Sequence, residues 1–275
     1  MKPTITAVVI TKNEEKMIVN CLACLSWCEQ IIVVDSGSDD HTVELAEQQN
    51  AQIIRASTSS SQSLSFADLR NSVLPKLKTD WVVYIDTDER VSPTLSQEIL
   101  VNIETSPANA LAIHRENMMY GQVFTHGGWD EWVTRVFRVS TFEKWIGDIH
   151  ESPTFTGDIA RLHTSLLHLT HRNTVDGLNK TISWTPIEAK LLAEANVPPV
   201  TVWTLLRKVT MEFLRRAFFK KGYQDGQAGL IEAVVQGINR ILVYIQVWEL
   251  QQHPSLTAKY EEQELAISSA WKKKT

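Results

Sequence analysis

The run Asp80-Trp81-Val82-Val83-Tyr84-Ile85-Asp86-Thr87-Asp88-Glu89-Arg90-Val91-Ser92-Pro93 constrains this chain more than any other stretch. Four consecutive apolar residues, Val82 to Ile85, predict a central strand covered on both faces rather than an alternating, half-exposed one. Three carboxylates follow where that strand leaves the sheet. The next helix needs none of them as a cap, because Ser92 followed by Pro93 supplies an N-cap and a first helical residue. Asp86, Asp88 and Glu89 are therefore expected at the carboxyl edge of a sheet without an evident structural task, and that edge is where open α/β folds bind ligands. Two acids one residue apart suit a hard divalent cation shared with substrate phosphates.

The rest of the first half repeats the strand–helix rhythm. Thr4 to Ile10 reads as a strand, with Asn13 as N-cap of a helix running to about Trp27. Ile31 to Val34 is a second buried strand, ending in Asp35-Ser36-Gly37-Ser38-Asp39-Asp40, and a helix follows to about Gln49. Ser38 is expected to cap that helix, with Asp39 and Asp40 in its first turn; Asp35 has no such explanation. Gln52 to Arg55 is a short strand, residues 56–65 a small-residue polar loop, and Phe66 to Lys78 a helix carrying Arg70-Asn71. A helix from Pro93 to about Glu104 completes four alternations, which predict a parallel, Rossmann-like sheet.

After Pro107 the elements shorten. Ala110–Arg115, Val123–His126 and Val133–Val139 read as strands, followed by Trp145-Ile146-Gly147-Asp148-Ile149-His150-Glu151. Asp130 and Glu131 lie between Trp129 and Trp132, a pattern that suits a sugar site as well as a core edge. From Asn173 the pattern is helical, giving expected divisions at 1–172 and 173–275. Val202, Leu205, Leu206, Val209, Phe213 and Ala217 form an apolar stripe flanked by Arg207, Lys208, Arg215, Arg216, Lys220 and Lys221. This stripe predicts either an interfacial helix on an anionic membrane or a helix docked on the catalytic domain. Leu230–Leu250 is apolar, but Glu232, Arg240 and Glu249 make it a poor transmembrane span, and the lysine-rich end is expected to be disordered.

Composition excludes some classes. A net charge of −5 over 275 residues argues against a general nucleic-acid binder. The apolar run Ala7–Ile10 is too short for a signal peptide or a spanning helix, so the cytosol is the expected compartment, with a peripheral position on the inner membrane face as the extension. Cys21, Cys24 and Cys28 share one helical face and lack a fourth ligand, which favours packing over a metal site.

Thr11-Lys12-Asn13-Glu14-Glu15, Val33 to Ser38, Arg70-Asn71, Asp86-Thr87-Asp88-Glu89 and Trp145 to Glu151, in that order, resemble a family 2 glycosyltransferase of the GT-A fold. The resemblance is to bacterial lipopolysaccharide-core and related cell-envelope enzymes, and Lys221-Gly222-Tyr223-Gln224-Asp225-Gly226 extends it toward the C-terminus. It implies a Rossmann-like, mostly parallel α/β sheet with a small mixed acceptor-side sheet and a C-terminal helical region. Asp35 would contact the base or ribose of a nucleoside-diphosphate sugar, with Thr11, Asn13, Glu14 and Ser36 shaping the pocket and Arg70 near the diphosphate. Asp86 and Asp88, with His150, would hold Mg²⁺ or Mn²⁺. Glu151 is the candidate general base, Asp130 and Glu131 its substitutes, and His168 and His171 weaker metal or phosphate ligands. The expected reaction is inverting transfer of a hexose, UDP-glucose being the leading donor, to a hydroxyl of an envelope glycan or glycolipid. A sugar nucleotidyltransferase would want a glycine-rich loop after the first strand, and a dehydrogenase a Gly-x-Gly-x-x-Gly there; neither is present. The non-enzymatic alternative is a membrane-surface binding module with a vestigial nucleotide site.

Overall fold

The computed structural model describes residues 2–56, 65–147, 151–170 and 172–272. His150, His171, most of the serine-rich run and the last three residues lie outside them. The chain divides into two compact units, residues 1–125 with 129–173 and residues 126–128 with 174–275.

The first unit begins with β1 (Ile5–Thr11), α1 (Ile18–Ala23), β2 (Gln30–Asp35), α2 (Thr42–Gln48), β3 (Gln52–Arg55), α3 (Phe66–Asn71) and β4 (Trp81–Asp86). It continues with β5 (Glu89–Arg90), α4 (Pro93–Thr105), β6 (Ala110–Met119), β7 (Gln122–Phe124) and β8 (Glu131–Arg138). The unit ends with β9 (Phe142–Ile146), β10 (Ser152–Phe155), β11 (Ile159–Arg161) and β12 (Leu166–Leu169). Among the described residues one sheet runs β3-β2-β1-β4-β8-β6-β12-β5, with β7 and β11 also on β6 and a separate β9–β10 pair. Pairing from β3 to β4 is parallel; β8 then joins β4 and β6 antiparallel. The sheet is thus a Rossmann-like parallel half continued by a mixed half.

Burial on both faces explains the unbroken apolar runs. In β1, Ile5, Ala7 and Val9 enter one core with α1 and α4, while Val8 and Ile10 enter the other with α3. In β4, Trp81, Val83 and Ile85 share the first core and Val82 and Tyr84 the second, as a period of two requires. Cys21 is buried in the first core and all three thiols are free; burial raises the pKa of Cys21 and Cys28.

The local expectations that fail do so for identifiable reasons. Asn13 does not cap a long helix: it takes a left-handed conformation (φ 55°), which asparagine tolerates, and α1 starts only at Ile18. Ser38 does not cap α2, because its hydroxyl donates to Asp35 Oδ1 at 2.5 Å; the Asp40 carboxylate instead accepts from Thr42 N and Oγ1. The helix expected to reach Lys78 stops at Asn71 and resumes as a 3₁₀ turn, Leu74–Lys76, at Pro75, which lacks an N–H. Ser92 does cap α4, accepting from Leu95 N at 3.1 Å.

The second unit contains α5 (Thr174–Glu194), α6 (Val202–Leu214), a π-helical turn (Arg215–Phe219), α7 (Gly226–Leu250) and α8 (Leu256–Lys272). The C-terminal segment is helical as far as Lys272, so the expectation of disorder fails for Trp271 and Lys272. Ala189, Val200, Val243, Tyr244 and Val247 form its core. α7 is long and apolar enough to cross a membrane by length and composition, yet Glu232 and Asn239 are buried within it and Thr181 donates to Asn239 Oδ1. The turn at Gly222 and the start of α7 approach so closely that a Cβ on Gly229 would lie 2.0 Å from the carbonyl oxygen of Gly222. Gly229→Ala is therefore expected to cost about 1–3 kcal/mol, the usual range for overpacking. Urea unfolding followed by circular dichroism checks this, and an unchanged midpoint would show that the contact is not tight.

Candidate functional site

Two loops meet where β1 and β2 end. Thr11 is in register with Asp35, and the Thr11 carbonyl accepts from Ser36 N at 3.0 Å. The backbone N–H groups of Asn13, Glu14 and Glu15 donate to Ser38 Oγ, Thr42 Oγ1 and Asp40 Oδ2, and Asp39 N donates back to Asn13 Oδ1. The two loops are held to each other by short polar side chains. Asp35 is buried, and its carboxylate accepts from Gly37 N, Ser38 N and Ser38 Oγ. It therefore has a structural role that sequence reading did not assign. Thr11 Oγ1 is buried without a hydrogen-bond partner among the described residues.

The end of β4 carries the densest charge. Asp86 Oδ1 accepts from Arg70 Nη2 at 2.9 Å, and Oδ2 accepts from Arg135 Nη2 at 2.6 Å. Arg70 also donates through Nη1 to Glu151. Arg135 donates to Glu89 Oε1 at 2.6 Å, Arg115 reaches the same oxygen at 3.5 Å, and Arg115 pairs with Glu131. The result is an unbroken alternation, Glu151–Arg70–Asp86–Arg135–Glu89–Arg115–Glu131. Glu89 is fully buried (0% exposed), and its second oxygen accepts from Asp86 N at 2.9 Å. Glu89 thus has a structural task, contrary to expectation. Asp88 faces His168 Nε2 at 3.2 Å. Asp130 lies apart, its Oδ1 2.5 Å from His114 Nε2 and its side chain 68% exposed.

Secondary structure explains these positions. Arg70 is in the last turn of α3, 3% exposed, with its guanidinium 4.9 Å from the Trp145 ring centroid. Asn71 holds that ring in place, donating to Trp145 O at 2.9 Å and accepting from Trp145 N at 2.8 Å. The β6–β8 register moves from Leu111 opposite Val136 to Ala112 opposite Thr134, so Arg135 is the extra residue of a β-bulge. Arg135, Arg115 and Asn71 were not anticipated as site residues. The available signal was two arginines inside strands otherwise rich in apolar residues.

Burial dominates the electrostatics and competes with pairing. It raises the Asp86 pKa, but the attraction of Arg135 and then Arg70 outweighs it, and the net shift is down from 3.8. For Glu89, burial outweighs the lowering by Arg135, and the pKa rises. Arg135 is lowered by burial and raised more by Asp86 and Glu89. A depressed folded-state pKa means that the Asp86 contribution to stability is present above 3.8 and is lost as pH falls through the folded value. Arg135→Met would leave two carboxylates facing each other, at an expected loss of about 3–5 kcal/mol near neutral pH. The gap between parent and variant should narrow in acid, where those carboxylates protonate; a gap independent of pH in denaturant titrations would show that the pairing is not its source.

A small hard cation takes one or two carboxylates and completes its shell with substrate phosphate and water. Asp86 and Asp88 fit that role, since each ionised carboxylate has about four acceptor sites and Arg70 and Arg135 occupy only two on Asp86. Among the described residues no three His, Cys, Asp or Glu side chains converge as a ready-made cage, and His150 lies outside the described residues.

Comparison with known proteins identifies the family. The lipopolysaccharide core biosynthesis glycosyltransferase LpsC of Rhizobium meliloti (strain 1021) is 24% identical over 255 residues, covering 90% of this chain and 93% of that one. An uncharacterized glycosyltransferase of Rickettsia felis is 34% identical over 96 residues, covering 34% of this chain and 32% of its own length. Matches to several other curated relatives likewise span about a third of the relative or less. The solved structure of S. aureus TarS with UDP-GlcNAc is 16% identical, covers 86% of this chain and 81% of that one, and has a TM-score of 0.48. The model of glycosyl transferase family 2 matches residues 6–168, more than half of the sequence and the whole of the sheet edge described above, and the chain belongs to that family.

Proposed function

We propose that this family 2 glycosyltransferase is inverting and metal-dependent, and that it moves a hexose from a UDP-sugar such as UDP-glucose to a hydroxyl of a cell-envelope glycan or glycolipid, lipopolysaccharide core being the leading acceptor. The observation that carries the reading is the meeting of Asp86 and Glu151 on one guanidinium, that of Arg70, at the carboxyl end of the central strand. Thr11, Asn13, Glu14, Asp35 and Ser36 frame the nucleoside end of the site, where the loops after β1 and β2 meet. Arg70 exchanges a carboxylate partner for a diphosphate oxygen, since a planar guanidinium accommodates either. Asp86 and Asp88 would hold Mg²⁺ or Mn²⁺, with His150 as a further ligand. Once bound, such an ion stabilises the negative charge that develops on the departing diphosphate.

Release of Glu151 from Arg70 leaves its carboxylate ionised beside the site, where it takes the proton of the acceptor hydroxyl as that oxygen attacks. Asp130 and Glu131 are the substitutes; Asp130 is mostly exposed beside His114, and Glu131 is at the far end of the charge chain. These contacts favour Glu151. A membrane-borne acceptor would place the enzyme in the cytoplasm, on the inner face of the membrane.

Glu151→Gln is expected to keep nucleotide binding while turnover falls by about 10²–10⁴-fold; turnover within threefold of the parent would move the base elsewhere. Thermal-shift titration with UDP, with and without Mn²⁺, tests the metal, because a ligand of the native state raises the melting temperature. The parent should respond to both together, and an Asp86→Asn/Asp88→Asn double variant should lose the Mn²⁺-dependent part. A Mn²⁺ response retained in that variant would remove these two side chains from the metal site. Hydrolysis across a panel of nucleotide sugars identifies the donor.

A further inference from the structure

Helix α6 is apolar on two sides. The inner side, with Leu205, Val209 and Phe213 partly buried and Ala217 buried, packs within the second unit, and a Cβ on Gly237 of α7 would be 3.0 Å from Val209 Cγ2. The outer side was not evident from periodicity. Trp203, Arg207, Met211 and Leu214 recur every third or fourth residue and are all exposed, Trp203 by 71%. The π-helical turn continues this side with Phe218 and Phe219, the latter 81% exposed.

Charge accompanies the exposed aromatics. Residues 202–221 hold six cations and one acid, in a chain whose net charge is −5. The acid, Glu212, is neutralised by Arg215 and Arg216. Its pKa is lowered although burial raises it, because both arginines hydrogen-bond to it. Arg207 and Lys208 form no ion pair among the described residues; Arg207 is exposed, while Lys208 is half-buried with its ammonium 4.6 Å from the Tyr244 ring centroid. Together with Arg215, Arg240, Met211 and Phe219 they line an open recess of about 650 Å³.

We propose that this outer side of α6 and its π-helical turn is the seat of an anionic bilayer surface. Lipid phosphates are received at Arg207 and Lys208, and Trp203, Phe218 and Phe219 sit among the upper acyl carbons. Aromatic and cationic residues alternating along an interfacial helix are what such a surface recognises. A second copy of the chain would bring the same cations against themselves, so charge disfavours that occupant. The proposal deepens the reading of a membrane-borne acceptor and rests on it for its biological purpose, whereas its test involves no sugar transfer.

The test is co-sedimentation of the full chain with vesicles of phosphatidylcholine alone or mixed with phosphatidylglycerol, at low and high salt. Binding is expected on the mixed vesicles only and should weaken with salt. Arg207→Gln with Lys208→Gln should reduce partitioning by about 30-fold, from a contribution of about fivefold per cation. Trp203→Ser with Phe219→Ser should reduce it as well; Arg207, Trp203 and Phe219 are exposed and Lys208 is half-buried, and unchanged melting curves and an unchanged UDP response confirm intact folding of both variants. Equal recovery on both vesicle types, or parental binding by both variants, would overturn the proposal. So would release by inorganic phosphate beyond that of chloride at equal ionic strength, which assigns the recess to a free anion. Self-association without vesicles, abolished by Trp203→Ser with Phe219→Ser, would assign the face to a second copy and overturn it too.

Discussion

The site depends on Arg135, a cation placed between two acids that could not otherwise share the end of β4. Asp86 and Glu89 are three residues apart, Glu89 fully buried and Asp86 partly exposed, and the backbone N–H of Asp86 donates to Glu89. Without a guanidinium between them, the two carboxylates would repel each other. With it, Asp86 stays ionised, Arg70 is drawn in on its other oxygen, and Glu151 follows Arg70. Buried charges are costly singly and more tolerable in hydrogen-bonded alternation, where mutual attraction in the low local dielectric offsets part of the desolvation penalty. Seven side chains are positioned together in this way.

Much of this edge was legible in the residues. Four apolar residues followed by acids located the central strand, and a period of two within it explains how each residue finds a different core. The strand–helix order gave the parallel half of the sheet. Helix boundaries near the loops were less legible because short polar side chains there bond to neighbouring loops rather than to their own helix. Asn13 and Ser38 show the point: each has a helix-capping composition, and each is taken up by a contact about 25 residues away.

The charge chain was legible at its acidic members and at Arg70, not at Arg135 or Arg115. Glu89 reads as a third acid in a turn, but its burial becomes visible only when Arg135 and Arg115 arrive from strands more than 20 residues later. Asn71 was noted beside Arg70, yet its two bonds to the Trp145 backbone belong to pairing across the fold. The outer side of α6 escaped notice for another reason. Its inner stripe satisfied the helical period, and a second stripe on the same helix has no separate signature in a single sequence.

The bulge at Arg135 bears on how such a site can change over generations. Val136 and Phe137 are committed to opposite cores, so exchanging either for a cation would bury it in hydrocarbon. The position between Asp86 and Glu89 is filled by Arg135, the supernumerary residue between Thr134 and Val136. The charge balance at this sheet edge therefore depends on the count of residues along a strand, and losing one would remove the counter-ion and the bulge that aims it in a single event.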